Sequence, residues 1–136
     1  MSYGVSGALQ SAVFQLLVAD AALGALVSGQ VFDAAPPGVA PPIYVSLGPE
    51  KVVDRSDQSS QGATHDFTVS VVSDSAGFLV AKEVAARVSD LLSGASLSLT
   101  RGVLVALMFR TAKARRVQQG DVRRIDLIFR ALVEDD

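Results

Sequence analysis

From Val122 to Val133 the chain alternates with a period of two. Ile125, Leu127, Phe129 and Ala131 share one parity, and Arg124, Asp126, Ile128 and Arg130 the other. Successive strand side chains point to opposite faces, so this segment is a strand with one face buried. A lone amphipathic strand is not stable in water. It needs partner strands and an apolar layer laid over its buried face. Whatever the rest of the chain does, it must supply both.

The partners are legible upstream. In Thr64 to Ser73, Phe67, Val69 and Val71 alternate with Asp66, Thr68 and Ser70. In Ile43 to Val53, Ile43, Val45 and Leu47 alternate with Tyr44 and Ser46, and Gly48-Pro49 marks a bend or bulge. Between these two strands the polar run from Asp54 to Ala63 has no apolar period and reads as a long exposed hairpin loop. Leu97 and Leu99, then Val103, Val105, Leu107 and Phe109, read as one strand or two, with Arg101-Gly102 as a turn or bulge. Thr111 to Asp121 reads as a hairpin tip leading into the last strand.

The apolar layer comes from two helical periods. Leu9, Val13, Leu16, Leu17, Leu23, Leu26 and Val27 define a helix over Gly7 to Val27, with Ser6 as N-cap and Gly29 as the stop. Val80, Val84, Val88, Leu91 and Leu92 define a second over Ala76 to Leu92, with Asp74-Ser75 before it and Gly94 after. A short strand, Val31 to Asp33, and a stiff proline-rich turn from Ala34 to Pro42 follow the first helix. The expected fold is α+β: a mostly antiparallel sheet packed against two helices, with residues 1–136 as a single domain.

A mean hydropathy of +0.37 raises the question of a membrane span, but Gln10, Gln15, Asp20 and Ser28 interrupt the first helix. Asp20 would be costly in hydrocarbon, so an amphipathic helix fits better.

Few residues suggest chemistry. There is no cysteine, which excludes disulfides and thiolate sites. The single histidine, His65, has no second histidine or nucleophile at a motif spacing and reads as a surface or strand-end residue. No nucleophile elbow, phosphate loop or calcium loop occurs, so no catalytic, cofactor-binding or metal-binding residue is assigned and an enzyme is not expected.

The charge distribution is more informative. Net charge is -2, yet eight of twelve Lys and Arg residues lie beyond residue 100. Lys113, Arg115, Arg116, Arg123 and Arg124 would gather near a hairpin tip. Three readings stand: contact with DNA phosphates, contact with an acidic partner subunit, or a solvated tip. Loop residues Asp54, Arg55, Asp57, Gln58 and Gln61 form a second candidate contact region. Around Val103 to Phe109 both parities are apolar, which suits a strand meeting another subunit or one buried in a layered monomer.

The order of segments carries a resemblance. A Leu9-Gln10 helix leads to Gly29-Gln30-Val31-Phe32-Asp33, then to Pro41-Pro42-Ile43-Tyr44-Val45-Ser46-Leu47-Gly48. After a polar loop comes Thr64-His65-Asp66-Phe67-Thr68-Val69-Ser70-Val71, a Gly77 helix ending in Leu91-Leu92, a Leu97-to-Leu107 stretch, a basic segment and a final strand. This resembles the tail-terminator, or tail-completion, family of long-tailed phages, most of all the version in alphaproteobacterial gene transfer agents. The resemblance implies a fold similar to the lambda tail terminator and no catalytic residues or cofactors. It implies a homohexameric ring that caps the tail tube and joins it to the head connector or stopper protein. DNA passes through the channel, and the protein resides in the particle after synthesis in the host cytoplasm. A head-side connector, a minor tail-tube protein and a cytosolic binding domain that uses the basic hairpin are the alternatives.

Overall fold

The computed structural model describes residues 3–36, 38–59 and 61–135. A short 3-10 turn, Tyr3–Val5, leads into α1 (Ser6–Ala19) and α2 (Ala21–Val27). Then come β1 (Val31–Phe32), β2 (Ile43–Asp54), β3 (Gln61–Ser73), α3 (Leu79–Leu92), β4 (Val103–Val117) and β5 (Val122–Asp135). The strands form one sheet in the order β1-β2-β3-β5-β4. Only β1 and β2 run parallel, and every other pair is antiparallel. The α+β architecture expected from the sequence is the one observed.

The alternation in β5 does what it dictates. Ile125, Leu127, Phe129, Ala131 and Val133 are buried, and their register partners on β3 are Val71, Val69, Phe67, His65 and Ala63. These ten positions form the inner face. Leu9, Val13 and Leu17 of α1, Leu23 and Val27 of α2, and Val84, Val88 and Leu92 of α3 complete the same core. The opposite parity makes an outer face of Asp66, Thr68 and Ser70 beside Arg130, Ile128 and Asp126.

The single long N-terminal helix of the sequence reading is two helices, bent by 76° at Asp20. Asp20 leaves helical geometry (φ -78°, ψ 117°), and its Oδ2 accepts the Leu23 N–H at 2.8 Å, capping α2. The Arg87 guanidinium of α3 clamps the same carboxylate at 2.6 and 2.9 Å. Among the described residues no single helix is long and apolar enough to cross a membrane. The bonds from Arg87 and Leu23 bring the Asp20 carboxyl down to about 2. A carboxyl held below its unfolded-state value stabilises the fold above pH 4 and loses that contribution as pH falls towards 2. Thermal melts should therefore show Tm falling between pH 4 and pH 2, with a shallower fall in Asp20→Asn. Equal slopes would show that the clamp plays no part in acid stability.

Other boundaries move for local reasons. Ser6 does not cap; its hydroxyl donates to Glu50 at 2.7 Å and ties α1 to the β2 bulge, where the register shifts between Leu47 and Glu50. The Asp74-Ser75 pair does not cap α3 either. The Ser75 N–H goes to Ser73 Oγ, and the helix starts three residues later than expected, at Leu79. Leu97 and Leu99 form no strand; they pack against the core from a connection without ladder bonds. Gly102 sits at φ +75°, where an added Cβ would lie 2.7 Å from the Glu134 carbonyl oxygen, so the Arg101-Gly102 turn requires glycine.

His65 is not at the surface. It lies fully buried on the inner face, in register with Val52 and Ala131.

Candidate functional site: the basic edge and the two ends of the sheet

The segment expected to be a hairpin tip is mostly strand. β4 stays paired with β5 from Thr111↔Ile128 to Val117↔Val122, and the turn itself is Gln118 to Asp121. It is built on left-handed backbone at Gln118, Gln119 and Gly120. The basic residues therefore stand on a ladder, and their parity sorts them.

Arg123 falls on the inner parity and is 9% exposed. Its guanidinium donates to the carbonyl oxygens of Gly120 and Ala76, and lies 5.7 Å from the Phe78 ring centroid. It staples the β4–β5 turn to the segment entering α3 and is not available to a partner. Arg124 and Arg115 belong to a network on the outer face. Arg124 donates to Asp126 at 3.0 Å and to Ser70 at 3.1 Å, Ser70 donates to Asp126 at 2.6 Å, and Arg115 reaches Asp126 at 3.4 Å. Burial pushes the Asp126 carboxyl up, but the Ser70 and Arg124 hydrogen bonds and the two guanidinium charges outweigh it and hold it below its ordinary value.

The two remaining members, Lys113 and Arg116, are exposed and make no ion pair among the described residues. Arg110, in the bulge between Phe109 and Thr111, joins them. The cluster of five thus divides into one buried staple, two partly neutralised arginines and two free cations.

The sequence did not single out Asp66 and Arg130. Register partners on the outer face, they form a bidentate pair at 2.7 and 2.9 Å. Arg130 holds the Asp66 carboxyl below its usual range. Cross-strand parity alone contained that signal.

The loop candidates lie elsewhere. Asp54 ends β2 and Gln61 begins β3, so the loop is shorter than expected, with residues 61–63 already in the sheet. Asp54 accepts the Ser56 N–H and hydroxyl at 3.1 and 2.6 Å, and Asp57 accepts those of Ser59 at 2.8 and 3.0 Å. These two local turns organise the loop. Arg55 bonds through its backbone to Gly62, and Gln58 is exposed. Gln61 pairs in register with Asp135, whereas Ser73 at the other end of β3 pairs with Arg123. At about 3.3 Å per residue, the 13-residue strand puts the loop and the basic turn roughly 40 Å apart. The loop end carries Asp54, Asp57, Glu134 and Asp135 against Arg55 and Arg101. The turn end carries Lys113, Arg115, Arg116, Arg123 and Arg124 against Asp74, Asp121 and Asp126.

Among the described residues no group of three or more His, Cys, Asp or Glu side chains could hold a metal ion. The chain is thus a small α+β protein whose distinctive chemistry lies on an open strand edge and two unlike sheet ends, not in a cleft. The model of the family Tail completion protein gp17 matches residues 11–134, and the chain belongs to that family. It is also similar to a chain in the solved virion of a native gene transfer agent particle. That chain is 61% identical, with a TM-score of 0.92, over 98% of this chain and 99% of that one. Comparison with curated protein sequences gives no match.

Proposed function

We infer that this chain is a structural, non-enzymatic subunit of a gene transfer agent particle. It forms a homohexameric ring that caps the tail tube, ends its polymerisation and joins it to the head connector or stopper. DNA passes through the channel, touching its wall without reading sequence. The observation that carries this reading is the tail-completion match over nearly the whole chain, together with the 61% identity to a chain of a gene transfer agent virion. Residues 1–136 act as one domain.

The unlike sheet ends support a two-faced ring. A cyclic ring repeats one heterologous interface and presents two different faces. The more acidic loop end and the basic turn end could then meet different neighbours, the tube on one side and the connector on the other. Termination would need shape and charge complementarity only.

The test mixes purified protein with purified tail tubes, followed by light scattering and negative-stain imaging. Single closed rings at tube ends and arrested tube growth are expected. An open polymer of this chain would assign it to the tube, and a monomer that ignores tubes would remove the reading.

A further inference from the structure

All three helices send apolar side chains into the core on the inner face of the sheet. The outer face carries polar and charged side chains in rows, because register partners share a face. One row runs Lys51, Asp66, Arg130 and Met108 across β2, β3, β5 and β4. Another runs Ser46, Ser70, Asp126 and Lys113, and the row beside the turn holds Arg124 and Arg115. On this face Lys51, Lys113, Arg115, Arg124 and Arg130 stand against Asp66, Asp126 and Glu134, a surplus of cations.

The helix side has the opposite balance. Neither α1 nor α2 contains a charged residue. On α3, Lys82 and Arg87 stand against Glu83 and Asp90, and Arg87 is paired with Asp20. Exposed Val18, Leu26, Leu79 and Val80 make that side more apolar as well. Of the two broad faces, only the outer sheet face attracts a polyanion.

Its arginines are nevertheless committed. Phosphate is held best by two donors of one guanidinium fork. Arg130 already gives that fork to Asp66, at 2.7 and 2.9 Å. Arg124 donates to Asp126 and Ser70, and Arg115 reaches Asp126 from the neighbouring strand. The three arginine side chains remain 32% to 48% exposed, so their charge is felt at the surface.

We propose that duplex DNA passes over this outer face, and that Asp66 and Asp126 act as restraining residues. They hold the three guanidinium groups so that the wall draws in the phosphate backbone without clasping it. This rests on the channel reading above and names the face and the residues concerned.

The test titrates the isolated full chain against a short fluorescent duplex, by anisotropy, over a range of salt. Wild type should bind weakly, with a shallow salt dependence. Asp66→Asn combined with Asp126→Asn should bind about tenfold more tightly at low salt, and the slope of log K against log salt should steepen by roughly 2, about 0.9 for each phosphate newly clasped. Either single change should move both readings part of the way, so the test survives poor folding of the double variant. Circular dichroism reports the fold. Glu83→Gln combined with Asp90→Asn adds the same charge to the helix side and should change neither reading. Equal tightening by that α3 control would mean that total charge, not this face, governs DNA binding, and would overturn the proposal. Folded sheet variants that match wild type in affinity and slope would overturn it too. The measurement needs no ring, so a missing ring at tube ends and a failure of this face are separate results.

Discussion

Replacing Phe129 by alanine should lower the unfolding free energy by about 3–5 kcal/mol, the usual cost of removing a large side chain from a core. Phe129 is fully buried on β5. Its ring stacks on Phe67 of β3 at 5.7 Å and meets Phe109 of β4 edge-on at 5.9 Å. All three are register partners, so one aromatic row crosses the three longest strands. Aromatics make up only 6% of the chain, and the remaining core is mainly Val, Leu and Ala, which cannot swing in to fill the gap. A domain of this size is stable by about 5–15 kcal/mol in all, so the loss is a large share. Phe109→Ala should cost clearly less, because Phe109 is 42% exposed at the sheet edge. Urea unfolding of both variants checks the order. Equal losses would mean that the edge ring is covered in solution or that the central ring is not the keystone.

The same alternation that predicts this loss made the sheet legible. A period of two in residues 64–73 and 122–133 placed β3 and β5, and the helical stripes placed the helix layer. What the sequence left open were features decided by side chains distant in the chain. The Asp20 carboxylate that caps α2 locally is also clamped by Arg87, and the Ser6 hydroxyl donates to Glu50. Propensity near residue 20 cannot register a cation 67 positions away. His65 is buried by the pairing of β3 with β2 and β5, although its neighbours in sequence are polar. The strand order, with β5 inserted between β3 and β4, is likewise a tertiary outcome. At the basic cluster the sequence itself carries a sorting signal: Arg123 precedes Ile125, Leu127 and Phe129 by even steps, which assigns it to the core face.

That assignment sets the second large effect. Arg123 and Arg116 are register partners, opposite each other on β5 and β4. Charge alone treats them alike, but the structure does not. Arg123→Ala should destabilise the fold by about 3 kcal/mol, because two charge-assisted hydrogen bonds to the Gly120 and Ala76 carbonyls are lost and those oxygens are left without that donor. Arg116→Glu should stay within about 0.5 kcal/mol of wild type, since the side chain is exposed and makes no ion pair among the described residues. In assembly the order reverses. At a temperature where both variants remain folded, Arg116→Glu combined with Lys113→Glu should abolish docking of rings onto particles, while Arg123→Ala should retain it. Urea unfolding gives the first ranking, and particle assembly scored by negative stain gives the second. If the exposed double variant assembles normally, the cations of the β4 edge only keep the protein soluble. If Arg123→Ala unfolds no more easily than Arg116→Glu, the staple is not closed in solution, and the turn end would then offer three free cations to a partner, not two.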